Sequence, residues 1–468
     1  MPPGIAPLLQ DAEEAQMNKN LSRRGLLGAS AALGAALPAV AATKPAPKPP
    51  AAKRPLLAPT PPMGWNSWNS FATTINEAQT LEQATIMARE LRPAGYDILT
   101  VDIQWYEPGA SSYTYAAKPV PTLDDHGRLL PAPNRFPSSA DGKGFKPLAD
   151  QVRALGLRFG VHLMRGAPRL AVERGLKVLG TNISVADIVD KHSTCPWNPD
   201  MYGVDMSKPG AQAYYDSVFA LLASWGVDFV KVDDLSRPYD SHMAEIEAIH
   251  RAIGRTGRPM ILSMSPGETP VVRGAHARQH AQMWRISDDF WDDWRMLDAQ
   301  FTRLENWSPY MGDGGWPDAD MLPLGRLALG ERDTKFTPDE QRTLMTLWSI
   351  ARSPLIMGGD LRHLDAPTKA LLTNPEVIAV NQASRDNRPH FVEDGMRVWT
   401  AKANNGDAYL ALFNTGETPR EVGVDLKIVG LPASATVRDL WTGRDLGKAA
   451  GRFSVQLPSH GAGLYRLG

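Results

Sequence analysis

The run Phe229-Val230-Lys231-Val232-Asp233-Asp234 limits most sharply what this chain can fold into. A short, largely apolar strand reads as a parallel strand buried on both faces, and an acidic end places a carboxylate at the mouth of a barrel. Met283-Trp284-Arg285-Ile286-Ser287-Asp288-Asp289 repeats that design later in the chain. Further apolar runs fall at 63–68, 98–102, 158–164, 260–265, 316–322 and 355–359. They alternate with amphipathic stretches that include 77–91, 211–224, 243–254 and 338–349. This alternation predicts a (β/α)8 barrel, an α/β fold of the TIM type, over residues 59–385. A doubly wound sheet is the rival, but no Gly-rich phosphate-binding turn follows the first strand.

Beyond residue 385 the texture changes. Short apolar runs at 396–401, 408–414, 421–426, 435–439 and 463–467 are separated by turn residues such as Asn404-Asn405-Gly406. Helical periodicity almost disappears, which predicts a C-terminal antiparallel β-sandwich over 386–468, packed on the barrel.

The N-terminal segment reads as an address. Ser22-Arg23-Arg24-Gly25-Leu26-Leu27 is a twin-arginine signature, an uncharged Ala- and Gly-rich run follows, and Ala39-Val40-Ala41 offers a small-x-small cleavage site. Residues 1–42 are therefore expected to be a signal peptide for twin-arginine export to the periplasm or beyond. The apolar run is too short and too weakly apolar to span a bilayer, so no membrane attachment is expected after cleavage. Met17 offers a second possible start. Residues 43–58 form a Pro/Ala/Lys linker with little to bury. A formal net charge of -1 gives no electrostatic footprint for nucleic acid. The single cysteine, Cys195, excludes an intrachain disulfide and is expected to be a buried bystander. Monomer and homodimer both remain open.

In a barrel, side chains at the C-terminal ends of the strands converge on one face. The residues expected there are Trp65, Asp102, His162, Lys231, Asp233, Ser263, Ser265, Arg285, Asp288, Asp289, Asp318 and Asp320. Strand alternation turns Lys231 and Asp233 to the same side and Asp234 away from it. One such Asp is adequately explained as the cap of the next helix. Four strands ending in Asp, with Lys and Arg between them, are not. Two carboxylates delivered from two strands suit glycosidic-bond cleavage, the retaining version needing them roughly 5–5.5 Å apart. An all-oxygen Mg or Ca site is the competing chemistry, but Lys231 and Arg285 would compete with a cation. Serine-nucleophile chemistry lacks its G-x-S-x-G elbow. Neither a metal nor an organic cofactor is expected.

Several segments resemble glycoside hydrolase family 27, the α-galactosidase family. They are Pro61-Pro62-Met63-Gly64-Trp65-Asn66-Ser67-Trp68, Trp225-Gly226-Val227-Asp228-Phe229-Val230-Lys231-Val232-Asp233, and Trp284-Arg285 with Asp289 and Trp294. Gly314-Gly315-Trp316-Pro317-Asp318-Ala319-Asp320-Met321-Leu322 and Ser353-Pro354-Leu355-Ile356-Met357 complete the series, in order along the barrel. The resemblance implies a retaining exo-glycosidase acting on terminal α-D-galactosyl residues of oligosaccharides or glycan side chains. It implies Asp233 as nucleophile and Asp289 as general acid/base, with Asp288 competing in register. Substrate binding would fall to Trp65, whose face would meet the sugar ring, and to Asp102, His162, Lys231, Ser265, Arg285 and Asp320.

The chain also departs from the family pattern. The family's strand 2 ends in two adjacent Asp residues for the galactose 4- and 6-hydroxyls, where this chain has Asp102-Ile103. His162-Leu163-Met164 replaces a Tyr-x-Asp, and Ser263-Met264-Ser265-Pro266 replaces a Glu-Trp-Pro pattern. The same family holds β-L-arabinopyranosidase-like and isomalto-dextranase-like members, and these departures keep both open. A carbohydrate-binding pseudoenzyme is the alternative from another class, and it would have no need of both Asp233 and Asp289. A metal-dependent lyase or isomerase on the same barrel is a third.

Overall fold

The computed structural model describes residues 56–468 apart from residue 394, so the expected signal peptide and most of the linker lie outside the described residues. The barrel strands are β1 (Met63–Asn66), β2 (Ile98–Val101), β3 (Arg158–Met164), β4 (Phe229–Asp233), β5 (Ile261–Met264), β6 (Met283–Arg285), β7 (Trp316–Asp318) and β8 (Leu355–Met357). They pair in parallel in the order β7-β6-β5-β4-β3-β2-β1-β8. A parallel bridge between Leu322 and Met357 closes the ring, with Leu322 N donating to Ile356 O at 2.8 Å. The (β/α)8 barrel expected from the alternation is therefore the fold.

Most strands stop one or two residues short of the apolar runs, because the chain bends there into the loops that carry the acidic side chains. Asp234, just past β4, has φ 64, and Asp320, past β7, has φ 83. The run at 316–322 is thus no continuous strand. It breaks at Asp318, and Leu322 pairs separately with β8.

Helix starts follow local chemistry. The helix Glu77–Glu90 opens with a capping box between Asn76 and Gln79, and Pro338–Ile350 with one between Thr337 and Glu340. Tyr239–Thr256 begins earlier than the periodicity at 243–254 predicts, directly after Pro238 and with Asp240 in its first turn. Between β3 and β4 the chain builds a three-stranded antiparallel sheet from Ala167–Pro168, Val189–Asp190 and Met201–Val204.

The C-terminal domain has eight antiparallel strands, where the sequence pattern reveals five. They are β9 (Arg385–Glu393), β10 (Met396–Lys402), β11 (Ala408–Asn414), β12 (Arg420–Asp425), β13 (Ser434–Asp439), β14 (Arg444–Ala450), β15 (Arg452–Leu457) and β16 (Ala462–Leu467), paired in the order 9-10-11-16-13-14-15-12. β14 escapes a pattern search because six of its seven residues are exposed, leaving no apolar alternation. The strands wrap a core that includes Val398, Leu410, Leu412, Val422, Val437 and Leu467. The domain docks on the barrel through specific pairs. His460 stacks on Trp294 with ring centroids 3.7 Å apart, and its Nδ1 lies 2.8 Å from Glu340 Oε1. Trp441 Nε1 donates to Thr346 Oγ1 at 2.9 Å, and Phe301 meets Phe413 edge-on.

Candidate active site

Three adjacent strands bring Asp233 its neighbours. In the parallel register Met164 lies opposite Asp233 and His162 opposite Lys231. His162 Nε2 stands 2.9 Å from Asp233 Oδ2, and Lys231 Nζ stands 3.9 Å from Asp233 Oδ1. Lys231 Nζ also donates to Asp102 Oδ2 at 3.0 Å. Asp102 is fixed further by Asn66 Nδ2, which donates to Oδ2 at 2.7 Å, and by Ile103 N, which donates to Oδ1 at 2.9 Å. Asp233 Oδ1 has no hydrogen-bond partner among the described residues.

The electrostatics follow from that placement. Burial alone would raise the Asp233 pKa, but Lys231 and then His162 outweigh it, and Ser265 adds to them. The carboxyl is held well below the usual carboxylate range and is ionised. Asp102 is lowered in the same way, Lys231 and His162 overcoming the effect of burial. An ionised carboxylate with one free oxygen, set in a buried cationic surround, is equipped as a nucleophile.

A second carboxyl comes from the loop after β6, two strands from β4. Arg285 Nη2 lies 3.2 Å from Asp289 Oδ1 and 2.7 Å from Asp320 Oδ2, and Nη1 donates to Ser265 Oγ at 3.5 Å. The Asp289 side chain is 44% exposed, whereas Asp233 is almost enclosed. Asp288 turns the other way, pairing with Arg237 at 2.8 Å on the protein surface. Asp289 therefore shares the Arg285 guanidinium with Asp320, and Asp288 does not. Asp234 likewise points away from the site, to Arg165 at 2.7 Å, and Arg165 pairs with Glu245 at 2.6 Å.

Three expected substrate contacts take other forms. Trp65 is fully buried; its Nε1 donates to Gly359 O at 2.8 Å, tying β1 to the loop after β8, so no indole face is open to a ring. Asp320 is held by protein through Oδ2, which accepts from Phe290 N at 2.7 Å and pairs with Arg285. Burial then pushes its pKa up to about 7, Arg285 opposing the rise. Arg285 is in turn occupied by two carboxylates. Asp318 caps locally, accepting from Asp320 N at 2.9 Å. His162, Lys231, Asp102 and Ser265 all stand around Asp233, with His162, Asp102 and Ser265 sealed from solvent.

Sequence reasoning misses Tyr115 and Asn66. Burial raises the Tyr115 phenol pKa first, then the carboxylates of Asp233, Asp102 and Asp289, so its hydroxyl lies within electrostatic reach of all three. It packs against Trp197 with ring centroids 5.8 Å apart. Both aromatics sit in loops without periodicity, where no pattern singles them out. Asn66 lies inside the quoted Gly-Trp-Asn segment, but its role as a clamp on Asp102 is visible only in three dimensions. Cys195 is buried, as expected.

Comparison with known proteins agrees with this geometry. Residues 196–383 match the family described as alpha galactosidase A, and residues 393–467 match the alpha galactosidase C-terminal beta sandwich domain. The α-galactosidase of Cyamopsis tetragonoloba is 29% identical over 418 residues, covering 88% of this chain and 87% of that protein. Human α-galactosidase A is 29% identical over 400 residues, covering 80% and 79% respectively. A β-L-arabinopyranosidase of glycoside hydrolase family 27 from Geobacillus stearothermophilus is similar in structure, with a TM-score of 0.87 and 48% identity. That match covers 88% of this chain and 97% of the other.

Proposed function

The chain belongs to glycoside hydrolase family 27, and from that premise we propose that this glycoside hydrolase is a retaining exo-glycosidase that prefers terminal β-L-arabinopyranosyl residues and also accepts α-D-galactosyl ones. The carrying observation for the chemistry is the ionised Asp233 with a free Oδ1, facing a site whose other strand-end carboxyl, Asp289, is the exposed one. Asp233 attacks the anomeric carbon to form a glycosyl-enzyme ester. Asp289 gives its proton to the leaving oxygen and then takes one from the water that hydrolyses the ester. Lys231 and His162 keep the nucleophile charged between turnovers.

The glycone preference rests on Ile103. The two sugars share the ring configuration at every hydroxyl, and L-arabinopyranose lacks only the hydroxymethyl group of galactose. Ile103 is buried, so an apolar side chain stands where the family's α-galactosidases carry the carboxylate for the 6-hydroxyl. A buried apolar group offers that hydroxyl nothing to hydrogen-bond and leaves nothing unpaired when it is missing. The similarity to the Geobacillus stearothermophilus β-L-arabinopyranosidase supports the same preference. Comparing kcat/KM on 4-nitrophenyl β-L-arabinopyranoside and 4-nitrophenyl α-D-galactoside tests it. A higher value for the galactoside overturns the preference, and no turnover of any glycoside overturns the enzymatic reading. In the cell, the proposed location is the periplasm or beyond, reached by twin-arginine export. Replacing Arg23 and Arg24 together by Lys then holds the precursor in the cytoplasm, and mature enzyme outside would refute that route.

A further inference from the structure

On two of the helices between the barrel strands, Glu247, His276 and His280 bring one ligand atom each to within 4.8 Å of one another. Glu247 lies on Tyr239–Thr256, the helix after β4, and the two histidines lie one turn apart on Gly274–His280, the helix after β5. We infer that these three side chains form a binding site for a divalent transition metal of the zinc class, with water completing the coordination.

The imidazoles are already oriented for it. His280 Nδ1 lies 2.9 Å from the carbonyl of His276. A carbonyl only accepts, so that nitrogen carries the proton and Nε2 carries the lone pair. His276 Nδ1 lies 2.9 Å from the Tyr239 hydroxyl, and its Nε2 faces Glu247. Nδ1 engaged by an oxygen in both rings, with His276 Nε2 turned to the carboxylate, is the outer-shell arrangement that orients metal-bound histidines. The carboxylate is divided in the same way. Glu247 Oε2 accepts from Arg251 Nη1 at 3.3 Å, leaving Oε1 turned to His276 Nε2 at 3.5 Å.

That 3.5 Å gap is long for a hydrogen bond between charged or polar groups. It matches the edge between two ligands that each lie about 2.0–2.2 Å from a tetrahedral zinc ion. His276 and His280 stand side by side on successive turns of one helix, with ring centroids 4.2 Å apart. Two histidines and one carboxylate with an open position suit zinc in preference to calcium or magnesium. Metal here would tie the helix after β4 to the helix after β5, stabilising the barrel wall without entering the sugar site.

The test is zinc alone, titrated into the mature chain by calorimetry, with cobalt(II) absorption as an independent readout of tetrahedral coordination. The expected result is one equivalent bound, a rise in Tm with zinc, and a visible cobalt band. His276→Ala with His280→Ala should abolish all three. Glu247→Gln, a partly exposed change that leaves folding intact, should weaken binding about tenfold or more. Absence of saturable binding to the wild-type chain overturns the site. So does binding that survives unchanged in both variants, which would place the metal on other histidines.

Discussion

His162 Nε2 stands 2.9 Å from Asp233 Oδ2, with His162 wholly sealed from solvent. The imidazole therefore meets only protein and the proposed nucleophile. Asp233→Ala should lower kcat by about 10⁴-fold or more, because no covalent intermediate forms. Azide should restore part of the turnover by entering the vacated space, and the product should be the glycosyl azide of inverted configuration. Unimpaired turnover of the variant would remove Asp233 from the mechanism.

The Arg285–Asp289 and Arg237–Asp288 pairs separate two neighbouring carboxyls. Asp289→Ala should spare the first step on a substrate with a good leaving group and stall the second, so that the glycosyl-enzyme accumulates in a mass spectrum. Azide should then give a product of retained configuration. Asp288→Ala removes only a surface pair and should change kcat by less than about threefold. An accumulating intermediate in the Asp288 variant would reverse the assignment.

Ile103→Asp restores a hydrogen-bonding carboxylate beside Asp102. The ratio of kcat/KM for the α-D-galactoside over the β-L-arabinopyranoside should rise by about tenfold or more, since a site built for a hydroxyl rejects the sugar that lacks it. An unchanged ratio would show that the hydroxymethyl position lies elsewhere.

Arg165 neutralises two buried carboxylates, Asp234 and Glu245, directly behind the nucleophile. Arg165→Met leaves both without their cation and should cost on the order of 3–5 kcal/mol, measured by urea unfolding. A loss below about 1 kcal/mol would mean that the carboxylates find other partners.

Asp320 links stability to pH. Burial raises its folded pKa from the ordinary 3.8 to about 7, so the folded protein keeps a proton that the unfolded chain releases. Its contribution is therefore complete at about pH 4 and below, and declines as pH rises toward about 7. Asp320→Asn cannot titrate. The Tm of wild type minus that of the variant should fall between those two pH values, whereas a constant difference would refute the raised pKa.

The barrel is legible in the sequence because strands buried on both faces must be apolar, and the helices between them must show one apolar stripe. Strand-end acids such as Asp233 and Asp289 are legible because the fold sends those positions to one face. The edge-like strands Arg385–Glu393 and Arg444–Ala450 are not, since hydrogen bonding to neighbours, and not burial, makes them strands. Which member of the Asp288-Asp289 pair faces the site was likewise beyond pattern, because that choice belongs to Arg237 and Arg285, contributed by different strands and loops. Trp65 shows the same limit: its place on a strand is local, but its indole N–H is tied down by Gly359, 294 residues further along the chain. The sequence by itself determined which residues reach the mouth of the barrel. Only the tertiary structure decided which of them are sealed, paired or left with a free atom, because contacts between distant segments set burial and charge balance.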